Sequence, residues 1–143
     1  MSSPLLARLM VTAVAAGQGI APLFIDFNRT HATNPLWPGH ARFHVVWQTL
    51  TMTALAVAEV ALLWWIAPGE RWVFFLATLL TSTPIVAFLL AMFGRAIYAG
   101  TLHDENGIRP VRLRIAGAIR EIDMNAVLVL VGAAVLVIAV LIY

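Results

Sequence analysis

The sequence predicts an all-α integral membrane protein, a four-helix bundle with both termini on the non-cytoplasmic side. Three observations carry this. The 143 residues are 62% hydrophobic and only 11% charged, with a mean hydropathy of +0.90, far from the balance of a water-soluble domain. The apolar residues gather into four stretches, each long enough to cross a bilayer. With four spans, the loops after the first and third share one side. That side holds Arg29, Arg42, Arg95, Arg109, Arg112, Arg114 and Arg120, against Arg8 and Arg71 on the other, so the positive-inside rule makes the Arg-rich side cytoplasmic.

Composition also excludes some chemistry. Without cysteine there is no disulfide, thiolate metal site or thiol nucleophile. Every cationic side chain is arginine, which removes lysine Schiff-base catalysis. The pI near 9.9 rests on a net charge of only +2. Loop arginines in such a chain set topology, and no nucleic-acid partner is expected.

The first span is read at about residues 5–25, with Gly17 and Gly19 flanking Gln18, a pattern that lets another helix approach closely. A polar loop, 26–40, follows. Asn34-Pro35 and Trp37-Pro38-Gly39 break the helix there, and Trp37 suits the headgroup level. The second span, 42–66, begins close to His40 and His44. At about 100° per residue, His40, His44, Gln48, Thr51 and Glu59 share a stripe about 100° wide, expected to face the bundle interior because polar groups at membrane depth are costly. Glu59 lies about 22 Å along the axis from His44, too far for a shared site. It is either a separate site or an end-of-helix carboxylate that snorkels. The third span, 72–97, carries Thr81-Ser82-Thr83-Pro84 at its middle. Pro84 is expected to bend the helix while nearby hydroxyls satisfy the freed carbonyl. Residues 108–123 place Val111, Ile115, Ile119 and Ile122 at helical spacing among arginines, which suggests an interfacial amphipathic segment. The fourth span, 125–143, has no polar side chain beyond its ends, and Gly132 would allow a partner to approach.

His31, His40, His44 and His103, with Asp26, Asp104 and Glu105, all belong to the Arg-rich side. Three chemistries would use such a cluster. His40 and His44 at i, i+4 face one way and, with His103 and a carboxylate, would form a nitrogen-and-oxygen site for a transition metal such as zinc or iron, haem being a lesser possibility. Metal-free acid–base work on a lipophilic molecule would use His44, Asp26 and Asp104 for proton transfer, with Trp37, Trp47, Gln48 and Thr51 contacting the substrate. The third is non-catalytic: the same residues bind lipid headgroups or dock a second copy or another membrane subunit. The expected function is a small membrane-embedded enzyme with a cytoplasm-facing His and carboxylate site, in the bacterial inner (plasma) membrane. The alternative is a ligand-binding protein or accessory subunit.

The run Asn34 to Gln48, N-P-L-W-P-G-H-A-R-F-H-V-V-W-Q, resembles the signature of a family of small four-span membrane proteins of uncharacterised role. That resemblance implies the fold and the importance of the loop, and no mechanism. Asp26 after the first span and Glu59 in the second are faintly similar to the carboxylates of the sterol-isomerase and sigma-2-receptor family, which would imply an internal cavity for a lipophilic ligand. Membrane desaturases and hydroxylases resemble the histidine pattern in principle, but carry about twice as many histidines.

Overall fold

The computed structural model describes residues 2–103 and 108–143. The chain is mostly helical, with four helices long and apolar enough to cross a membrane. Helix α1 is Ser3–Ile25 and α2 is Gly39–Ala61, which runs on through a π-helical turn, Leu62–Ile66. Helix α3, Arg71–Gly94, ends in a 3₁₀ turn, Arg95–Tyr98, and α4 is Met124–Ile142. Prolines mark the starts: Pro4 lies in the first turn of α1, and Pro38 precedes α2, where a missing N–H costs nothing. Asp123 caps α4 by accepting a hydrogen bond from the Ala126 N–H at 2.9 Å.

Small residues decide how closely α1 and α2 approach. Helix α1 buries Ala7, Val11, Ala15 and Gly19 in one i, i+4 line. A β-carbon on Gly19 would collide with the Ala56 side chain, whereas Gly17 has nothing within 4 Å. The glycine of the pair that matters for packing is therefore Gly19. Thr53 donates to the Gly19 carbonyl at 2.8 Å across the same contact. Gly132, expected to open α4 to an outside partner, instead sits between Ile85 of α3 and Val14 of α1. It faces the bundle, where a β-carbon would meet both at ordinary contact distance.

The main core lies at the end of the bundle where the termini meet. It gathers Ala7, Val11, Leu63, Phe74, Ala77, Leu136 and Ala139, and Tyr143 stacks on Phe74 with ring centroids 3.7 Å apart. Arg8 donates to the Leu63 carbonyl and lies 4.4 Å over the Trp64 ring. Trp64 in turn donates to the Thr12 hydroxyl at 2.9 Å. Both termini thus share one end of the bundle, and the loops after α1 and α3 share the other.

Inside α3, Pro84 cannot donate to the Leu80 carbonyl. The neighbouring hydroxyls bond one residue away from that carbonyl: Ser82 and Thr83 both donate to the Leu79 carbonyl. Thr81 turns inward, fully buried, and bonds to the Glu59 carboxyl at 3.0 Å. Glu59 is 1% exposed, so it does not snorkel to a surface; among the described residues its second oxygen has no partner.

The largest departure from the sequence reading is at 108–123. These residues form an antiparallel hairpin, β1 Val111–Ile115 paired with β2 Ala118–Ile122. Between them Ala116 and Gly117 both take positive φ, 49° and 81°, which matches the right-handed twist of the two strands. The spacing of four that reads as helical is also an even number, so it fits a strand equally well. V-R-L-R-I alternates strictly, and that period of two prevails.

Candidate functional site

The polar loop is ordered by its own side chains. Asp26 ends α1, its N–H donating to the Pro22 carbonyl at 2.8 Å. Asn28 donates its side-chain amide to the Phe24 and Ile25 carbonyls, closing the helix end, and its oxygen accepts from the Thr30 N–H at 2.8 Å. Asn34 is buried and holds the turn by donating to the Thr30 carbonyl and accepting from the Leu36 N–H. These are the local bonds by which Asn favours turns over helix.

This frame sets His31 beside Asp26, with Nδ1 and a carboxylate oxygen 3.7 Å apart. Thr30 Oγ1 lies 2.8 Å from the same Nδ1 and 2.6 Å from Asn28 Oδ1. With its one hydrogen given to Asn28 Oδ1, the hydroxyl is placed to accept from a hydrogen on His31 Nδ1. Thr49 of α2 donates to the other oxygen of Asp26 at 3.4 Å. Burial pushes the Asp26 carboxyl above the ordinary range, and His31 and the Thr49 hydroxyl pull it partly back. The Trp37 ring meets His31 edge-on at 5.2 Å. It therefore braces the histidine of this loop.

A second group lies along the outer face of α2. His40 and His44 touch through their Nε2 atoms at 3.0 Å, one donating to the lone pair of the other. Trp47 lies beside His44 with centroids 5.7 Å apart, and Phe43 flanks both rings. His44, Trp47, Gln48, Thr51 and Met52 line one open groove of about 350 Å3. The stripe expected to face the interior faces outward: His40, His44, Gln48 and Thr51 are exposed, and only Glu59 is buried. The reason is the arrangement of the helices. At the histidine end α2 is covered by α1, through Thr49 and Thr53, while α3 meets α2 at the level of Glu59, through Thr81.

The sequence-derived site thus divides. His44, Trp47, Gln48 and Thr51 share the groove, with His40 at its end. Asp26 belongs with His31 and Thr49 on the covered side of α2, and Trp37 goes with them. His103 stands apart, in a surface depression with Arg109, Arg112 and Glu121 at the base of the hairpin. Asp104 lies outside the described residues. Among the described residues no three of His, Asp or Glu come together in a metal-binding group, so the set His40, His44 and His103 is not assembled there. The sequence reading gave His31 no role of its own and did not name Met52. Asp26 and His31 both follow the end of α1, where periodicity gives no signal, and only the D-F-N-R-T-H run of capping residues hinted at their pairing.

Residues 9–100 match the family of unknown function DUF6640. This stretch contains most of α1, the polar loop and all of α2 and α3. No curated protein and no solved structure matches the chain.

Proposed function

Since the chain belongs to the family of unknown function DUF6640, and the matched residues include the whole α2 groove, we propose that it is a small multi-pass membrane enzyme acting by proton transfer on a lipophilic molecule seated against α2. The observation that carries this reading is the shared groove of His44, Trp47, Gln48 and Thr51, with His40 bonded to His44. A groove on an outward helix face is open to a molecule arriving sideways from the bilayer. Trp47 and Met52 offer it apolar surface, and Gln48 and Thr51 offer donors and acceptors at the depth of the span. The His40–His44 pair is the proton carrier: one imidazole holds a hydrogen where the other offers a lone pair, and a substrate group beside His44 exchanges with that pair. Asp26 and His31 form a second acid–base pair at the membrane surface. A zinc or iron ion would find two nitrogen ligands at His40 and His44 and would need others from the substrate or a partner. The Arg-rich side is taken as cytoplasmic, in a bacterial inner membrane, and the sterol-isomerase likeness gives the first compounds to screen.

The same outward face favours one other reading, a ligand-binding or accessory subunit. A neighbouring helix would satisfy Gln48 and Thr51 as well as a ligand would. The test is mass spectrometry of lipids extracted from the purified protein, with elemental analysis, on wild type and on the His40→Ala, His44→Ala and Gln48→Leu, Thr51→Val variants. The enzyme reading expects a co-purifying lipophile that is lost from the Gln48→Leu, Thr51→Val variant. It also expects that lipophile to be turned over by wild type and left unchanged by the histidine variant. If no lipophile is bound and the groove variants instead lose a protein partner, the subunit reading replaces it.

A further inference from the structure

Among the described residues the β1–β2 hairpin is barely covered by the helices. All five residues of β1 are exposed, as are four of the five of β2. Two paired strands alone are marginal in water. The register sorts the side chains sharply. Val111, Leu113, Ile115, Ala118, Arg120 and Ile122 share one face, while Arg112, Arg114, Ile119 and Glu121 share the other. The first face is apolar apart from Arg120, yet Val111, Leu113 and Ile115 remain 42%, 45% and 49% exposed. Arg112 is paired with Glu121 at 2.9 Å, and Asp123 is taken up in capping α4. Among the described residues Arg114 and Arg120 have no carboxylate partner. Position supplies the last element: β2 ends at Ile122 and the apolar helix α4 begins at Met124. The base of the hairpin is therefore tied to the point where the chain enters the membrane.

We propose that this hairpin is a docking surface for the anionic headgroup layer of the protein's own bilayer, its apolar face laid against the acyl boundary and its arginines on lipid phosphates. Covering Val111, Leu113 and Ile115 supplies the burial that the two strands lack in water. Arg120, on the apolar face, reaches the phosphates along its own stem, and Arg114, on the opposite face, reaches them from the headgroup side. The excess of positive charge selects an acidic lipid surface over a zwitterionic one. The proposal is independent of the α2 groove.

Hydrogen–deuterium exchange of the full chain in nanodiscs of phosphatidylcholine, with and without phosphatidylglycerol, tests it. Amides of residues 111–122 are expected to exchange roughly tenfold more slowly when phosphatidylglycerol is present, and to lose that protection at high salt. The Arg114→Gln, Arg120→Gln variant is expected to exchange at the phosphatidylcholine rate in both lipids, with the four helices as protected as in wild type. Equal exchange in the two lipid compositions would overturn the proposal. So would protection that survives in the arginine variant, which would point to a protein partner on the apolar face, or protection reproduced in phosphatidylcholine by added inorganic phosphate.

Discussion

Asp26 is the residue whose chemistry depends most on its place in the chain. Its burial at the end of α1 disfavours the charged carboxylate, and the His31 ring and the Thr49 hydroxyl offset that only in part. The folded protein therefore holds the Asp26 proton more tightly than the unfolded chain does. A carboxyl raised in this way stabilises the fold fully at pH below the ordinary carboxylate value, and that contribution is lost as pH rises through the raised value. Asp26→Asn has no proton to lose. We expect the stability of residues 26–34, followed by hydrogen exchange corrected for intrinsic rates, to fall from acidic to neutral pH in wild type and to vary less in the variant. Parallel profiles would show that another group governs the loop. The composition of this site was legible, since D-F-N-R-T-H and the prolines announce a polar, well-turned loop. The pairing of Asp26 with His31 was not, because it depends on how Asn28 and Thr30 close the end of α1.

At the scale of elements, helix contacts separate two glycines that sequence alone treats alike. Gly19→Ala places a methyl group on the Ala56 side chain of the facing helix and should cost about 1–3 kcal/mol, because neither backbone can retreat without opening the α1–α2 seam. Gly17→Ala meets open space and should be neutral or stabilising by up to about 1 kcal/mol through helix propensity. Unfolding of the purified variants in mixed micelles measures both; equal effects at the two positions would mean that the α1–α2 seam does not depend on Gly19. The strands teach a related lesson. Val111 and Ile115, four residues apart, suit a helix face and a strand face equally, whereas Ile119, which continues the helical spacing, falls on the other face of the hairpin. The alternating arginines at Arg112 and Arg114 were the available signal, and the Ala116-Gly117 turn made the pairing possible.

For the whole molecule, the distribution of arginines makes a testable prediction of membrane orientation. The chain has no cysteine, so a single introduced one reports its side without ambiguity. Ser2→Cys should react with a membrane-impermeant maleimide in intact cells, and Thr101→Cys only after permeabilisation, if the Arg-rich loops face the cytoplasm. The reverse pattern would invert the topology and place the histidines outside. Hydropathy alone makes the four helices legible, because the demand that backbone groups bond internally in a bilayer leaves a long apolar run little choice but a helix. The polar loop and the i, i+4 contact of His40 with His44 are legible for an equally local reason. Which way those histidines face is decided only by tertiary structure. A helix carries its polar stripe wherever its neighbours leave it: α1 covers the Thr49 and Thr53 side of α2, and α3 reaches α2 at the level of Glu59. Close approach at Gly19 holds α1 on that side of α2, and the same arrangement buries Glu59 while leaving His40, His44, Gln48 and Thr51 on the outside.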